Sequence, residues 1–162
     1  MLKTEYKMEG LDAIQQKIDA IKATATDMAA GESERGVKFG LRKAANYIRD
    51  KVKEGAERVD DPNTPEKIAE NVSTRWNGKE SRKTGDLQFN VGIRGGAKSR
   101  DSNASNKGGD TYYWRFIEFG TATTPARPFI RPALKNGSQE AIRIFIENYK
   151  RSLDRSLKKV SK

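Results

Sequence analysis

Leu11, Ile14, Ile18, Ile21, Ala25 and Met28 recur at alternating spacings of three and four residues. That rhythm draws one apolar stripe along a helix of about residues 11–29. Gly31 is placed to end this helix, and Ser33 followed by Glu34 to open another at its positive end. From Val37 the stripe resumes as Leu41, Ala44, Ala45, Ile48 and Val52, with Arg42, Lys43, Arg49, Lys51 and Lys53 in between. The second helix is therefore amphipathic and strongly basic, and its small residues Ala44 and Ala45 permit close approach of a neighbour. Asp60, Asp61, Pro62 and Asn63 stop the pattern, because proline disfavours helix at the residue before it and Asp and Asn favour turns.

Thr64, Pro65 and Glu66 predict the start of a short helix running through Ile68 and Val72. Trp76 lies just beyond, before a polar linker from Asn77 to Asp86 that contains two glycines. Leu87, Phe89, Val91 and Ile93 then alternate strictly with Gln88, Asn90, Gly92 and Arg94, the period of a half-buried strand, which ends at Gly95 and Gly96. Residues 97–110 hold nothing apolar larger than alanine and read as a mobile loop of unusual length, carrying Lys98, Arg100 and Lys107. Thr111 to Phe119 is aromatic and β-favouring, so it predicts a second strand, antiparallel to the first across that loop; a short helix at Tyr113 to Phe119 is the competing assignment. Ala141, Ile142, Phe145, Ile146, Tyr149, Leu153, Leu157 and Val160 mark a long final helix from about 138 to 160. Together these elements predict an α+β fold: a small antiparallel sheet packed against long amphipathic helices, in a single domain of residues 1–162.

Composition narrows the chemistry. Only 35% of the 162 residues are hydrophobic and 33% are charged, which suggests either a slender body or one that finishes burying its apolar surface against partner chains. The net charge of +10 favours polyanions, although solubility alone is served by the same excess. With no cysteine and no histidine, disulfides, thiolate chemistry and the commonest general base and metal ligand are all excluded, and no cofactor is expected. The N-terminus shows no apolar run after its lysines, and nowhere do eighteen apolar residues occur in succession, so the expectation is a protein made and kept in the cytoplasm until it joins an assembly. The N-x-S matches at Asn71, Asn103 and Asn136 are then chance.

Two weak chemical signals can be set aside. Gly92 to Ser99 matches the phosphate-loop pattern except for Ala97 at the second glycine, but no helix is predicted after it. Glu66 and Glu70 lie four apart, where a helix would put both on one face, yet no further carboxylates join them and a solvated face is the better reading.

The densest stretch is Phe116 to Leu134, FIEFGTATTPARPFIRPAL. Glu118 sits between Ile117 and Phe119, so its burial would require a cation or hydrogen-bond donors, for which Arg127 and Arg131 are the nearest side chains. Gly120 allows a positive backbone dihedral, Thr121 to Thr124 carry the chain round, and Pro125, Pro128 and Pro132 stiffen the return. Phe129 and Ile130 can then enter the core. One role is a locked corner held by an ion pair; the other is a rigid edge whose arginines reach across a subunit interface.

Glu118, Phe119, Gly120 and Thr121, then Pro125, Ala126, Arg127, Pro128, Phe129, Arg131, Pro132 and Ala133, resemble the signature of the long-tailed bacteriophage neck or tail-completion proteins, a head-tail connector family that includes the lambda-type minor tail protein Z. Tyr113 and Phe116 also fit. Glu9 to Asp12 resembles the family's start, a short strand leading into the first helix, and Thr84 to Leu87 its Thr-Gly-x-Leu approach to the central strands. Two departures are Leu87-Gln-Phe-Asn-Val, where the family usually has Leu-x-x-Ser-Ile, and the longer loop at 97–110. The resemblance implies a non-enzymatic virion component at the head-tail junction, assembled in the host cytoplasm as a ring of six or twelve copies. Its implied partners are head-closure or portal-side proteins, tail terminator or tail tube proteins, and viral double-stranded DNA passing through the channel, with no membrane and no small-molecule substrate. On that reading Glu118, Arg127, Phe129 and Arg131 shape the corner, and the loop with Lys98, Arg100 and Lys107 orders against an adjoining ring. A nucleic-acid-binding protein gripping phosphates through Arg42, Lys43, Arg49, Lys51 and Lys53 is the rival, and a metal-dependent nuclease using Glu118 comes third.

Overall fold

A computed structural model describes residues 30–95 and 107–160. The expected first helix at 11–29, the stretch containing Lys98 and Arg100, and the second half of the phosphate-loop look-alike lie outside the described residues. In chain order the elements are α1 (Ala30–Glu57), α2 (Ile68–Asn71), β1 (Val72–Trp76), α3 (Gly78–Thr84), β2 (Phe89–Ile93), α4 (Trp114–Phe119) and α5 (Ile130–Val160). This is the α+β arrangement expected: one two-stranded antiparallel sheet against long helices.

The long helices lie side by side and span the described part of the molecule. At one end Val52 and Ala56 of α1 meet Ile68, Ala69, Val72 and Phe129 in the main core, ringed by Ile48, Val91, Ile93, Trp114, Ile117 and Ile130. At the other end Ile146, Tyr149 and Leu153 of α5 close over Val37 in a smaller cluster, with Phe145 stacked on Tyr149. Burying the larger of these side chains contributes about 1.5–3 kcal/mol each, and such packing, more than intrinsic propensity, holds the long helices in place. Glycines let the two long helices approach closely. A Cβ on Gly40 would stand 2.9 Å from the Phe145 ring, and one on Gly36 3.2 Å from Tyr149.

Helix α1 is already helical at Ala30, so Gly31 and Ser33 lie inside it and do not form the predicted boundary. The register of the sheet runs Val72↔Ile93, Thr74↔Val91 and Trp76↔Phe89, which puts the apolar members of both strands on the face toward α1. The alternation from Leu87 to Arg94 is reproduced in burial, odd positions half-buried and even ones exposed.

Several assignments need correction. The partner of β2 is β1, so the predicted short helix through Val72 shrinks to a single turn, and the strand predicted at Thr111 to Phe119 is instead the competing helix, α4. Glu66 therefore lies ahead of α2 and shares no helix with Glu70. The supposed polar linker folds as α3, with Asn77 accepting from the Glu80 N–H at 3.2 Å and Gly85 closing its far end. The last helix begins at Ile130, eight residues earlier than its apolar periodicity announced, with Pro132 in the first turn where its missing N–H costs nothing.

The end of the predicted loop is also fixed. The buried Asn71 side chain donates to the Gly109 carbonyl (3.0 Å) and to Thr111 Oγ1 (2.7 Å), and accepts from the Gly108 N–H (3.0 Å). Thr111 in turn donates to the Arg94 carbonyl at 3.0 Å. Gly108 is pressed so close to the Lys67 carbonyl that no Cβ fits. Residues 108–111 are thus pinned to the base of the sheet, while Lys107 just before them is exposed.

Candidate functional site

Every α-helix begins with four backbone N–H groups that lack an intrahelical partner. In α5 these belong to Phe129, Ile130, Arg131 and the position of Pro132, and the last has no N–H to satisfy. The other three all point at one carboxylate. Glu118 Oε2 accepts from Phe129 at 2.7 Å and from Ile130 at 2.9 Å, and Oε1 accepts from Arg131 at 3.2 Å. A glutamate from the preceding helix therefore caps α5, a role ordinarily taken by a Ser, Thr or Asp in the cap position itself.

Arg131 closes the arrangement from outside. Its Nε donates to Glu118 Oε1 at 3.0 Å and its terminal nitrogen to the Glu118 carbonyl at 2.6 Å, while the guanidinium lies 5.3 Å from the Phe119 ring centre. Glu118 is 1% exposed. Burial alone would push its carboxyl upward, but the N–H groups of Ile130, Phe129 and Arg131, with the Arg131 side chain, outweigh that cost and hold it below the ordinary glutamate value.

The turn between α4 and α5 is built to deliver those donors. Gly120 ends α4 at φ 78° and ψ 177°, a conformation essentially reserved for glycine, and a Cβ there would stand 2.9 Å from the Ala126 nitrogen. Thr121 then closes a small loop on itself, its N–H donating to the Thr124 carbonyl at 2.9 Å and its hydroxyl accepting from the Thr124 N–H at 3.0 Å. Arg127 returns the chain to α4 by donating its N–H to the Ile117 carbonyl at 2.8 Å. Pro125 and Pro128 flank that contact, both exposed, and Phe129 drops into the main core.

The structure thus brings together Glu118, Gly120, Thr121, Phe129, Arg131 and Pro132 as one unit, and Arg127 joins it through its backbone alone. Of the two arginines proposed to neutralise Glu118, only Arg131 does so; the Arg127 side chain is exposed and forms no ion pair among the described residues. Backbone donors, which sequence reasoning did not name, supply three of the five hydrogen bonds between Glu118 and the start of α5. The signal that could have found them was Pro132, whose place in a first turn fixes where α5 starts.

The basic residues of α1 divide among several surfaces. Arg42, Arg49 and Lys53, spaced by seven and four, share one face of the helix. Arg49 is paired with Asp50 at 2.7 Å. Lys51 points elsewhere, bound to Glu54 at 2.9 Å beside a cavity of about 400 Å³ between α1 and the start of α5, and Lys43 is exposed with its amine 5.7 Å from the Phe39 ring centre.

In chemical terms the corner can hold an angle and present side chains; the Glu118 lone pairs are already engaged, which leaves no free carboxylate there for proton transfer. Comparison of the chain with protein-family models, with curated proteins and with solved structures found no match.

Proposed function

We propose that the chain is a structural component of a phage head-tail connector, a neck or tail-completion protein that assembles as a ring of six or twelve copies between the portal or head-closure proteins and the tail terminator or tail tube, around the channel for double-stranded DNA. The observation that carries this reading is the engagement of Glu118 inside the fold. The residues that bear the family resemblance form a stiff corner, fixed by backbone bonds, that aims exposed Arg127, Phe116 and Phe119 outward. A repeated contact through such a corner closes into a ring when its rotation divides a full turn.

Arg127→Glu tests it. Because this side chain contributes no bond within the subunit among the described residues, the variant should keep its melting temperature while particles assembled with it show heads and tails left unjoined in negative-stain micrographs. Joined, infectious particles made with Arg127→Glu, and equally with the protein omitted altogether, would sink the reading.

A further inference from the structure

Helix α4 has a face that the described residues leave bare. Tyr112, Phe116 and Phe119 recur at spacings of four and three, so they line one side of α4 and the turn before it, at 64%, 52% and 65% exposure. Arg131, stacked on Phe119, extends this strip to α5, where Leu134 one turn on is 55% exposed. The opposite side of α4 is occupied, Trp114 and Ile117 by the main core and Glu118 by its cap. Three aromatics and a leucine, with one arginine set against Phe119, have the composition of an interface centre and are unlike singly scattered surface apolars. Arg115, Arg127 and Lys135 form an exposed cationic border.

We propose that this strip receives the N-terminal segment, residues 11–28, of a neighbouring copy of the same chain. The proposal rests on the ring reading above and names the contact that builds it. The segment carries a strict three-four apolar seam, Leu11, Ile14, Ile18, Ile21, Ala25 and Met28, narrow enough to lie against a single strip. It also carries a slight excess of the complementary charge: residues 11–28 hold two lysines against three aspartates, in a chain whose net charge is +10.

Reach decides between the chain's own strip and a neighbour's. The segment joins α1 at Ala30, the end where Gly36 faces Tyr149 and Ser152; α4 sits at the opposite end, where Gly55 faces Phe129. At 1.5 Å per residue Ala30 and Gly55 are about 38 Å apart along α1. The helix that the periodicity predicts for 11–29 is about 28 Å long. Even doubled straight back with no turn, it falls short of its own α4. The contact is therefore head to tail, the N-terminus of one copy on the corner of the next, and such contacts generate rings when they close.

The chain has no cysteine, so cross-linking can be made site-specific. The full-length Ile18→Cys, Phe116→Cys double variant is prepared with and without nitrogen-15, the two are mixed, oxidised and mapped by peptide mass spectrometry. The expected result is an 18–116 disulfide joining labelled to unlabelled chains. A disulfide confined within single chains, or none, overturns the proposal. Since Phe116 and Phe119 are exposed, Phe116→Ser with Phe119→Ser should leave the melting temperature and helical signal of the subunit in place while weakening self-association at least tenfold by sedimentation; unchanged association also overturns it. Rings that persist without the 18–116 link would refute this contact and leave the ring reading standing. An 18–116 link between copies in open chains that never close would support the contact and refute the ring.

Discussion

Glu118 caps a helix from eleven to thirteen residues upstream, and the strength of that arrangement lies in charge meeting aligned N–H groups at the positive end of α5. Glu118→Gln keeps the shape but turns an amide NH₂ toward at least one donor, so a cost of about 2–4 kcal/mol is expected in urea unfolding. The sign of the pH dependence comes from the lowered carboxyl. Its stabilisation is complete above the unfolded glutamate pKa of about 4.3 and is lost as pH falls through the lower folded value. The gap between parent and variant should accordingly be full at pH 7 and shrink steadily in acid; an equal gap at pH 7 and pH 3 would contradict the assignment. From the sequence it was legible that a carboxylate between Ile117 and Phe119 needs partners. Which partners was not, because three of them are backbone groups whose direction exists only once a helix starts at Ile130.

Among the elements, the pinning of residues 108–111 by Asn71 is a contact of long sequence separation, up to forty residues, made by a single side chain. Asn71→Ala strands a buried Gly108 N–H and the Gly109 carbonyl, at roughly 1–3 kcal/mol each. Hydrogen exchange should show protection at 108–111 collapsing while the amides of α5 keep theirs; uniform loosening would mean the segment is not held as described. The long helices and β2 were readable because periods of 3.6 and 2 persist over enough residues to average out exceptions. Short elements lack that averaging. Val72 to Trp76 follows directly on the end of a predicted helix, and the aromatic bias of Thr111 to Phe119 argues for a strand although Trp114 and Ile117 stand three apart, as one side of a helix requires. Helix α3 does carry its signal, since Asn77 with Glu80 three residues on is a capping pattern, but a stretch polar throughout has no apolar stripe to announce the helix behind it.

At the scale of the whole molecule, the basic residues of α1 divide among several surfaces. Only Arg42, Arg49 and Lys53 of the five basic positions proposed on α1 share a face, so the isolated subunit should bind duplex DNA weakly, with a salt slope no steeper than about −3. A slope near about −5 or beyond in a filter-binding titration would favour the nucleic-acid-binding reading over a connector whose channel must let the genome slide. Along the helix pair, the glycines at 36 and 40 act as notches for Tyr149 and Phe145. Sliding α5 by one turn, about 5.4 Å, would leave only one of the two rings over a glycine and press the other against a residue that has a side chain. The pair consequently has one axial seating, as a key has in its keyway, and a load taken up at its far tip is delivered to the corner as rigid displacement, without being absorbed by slip on the way.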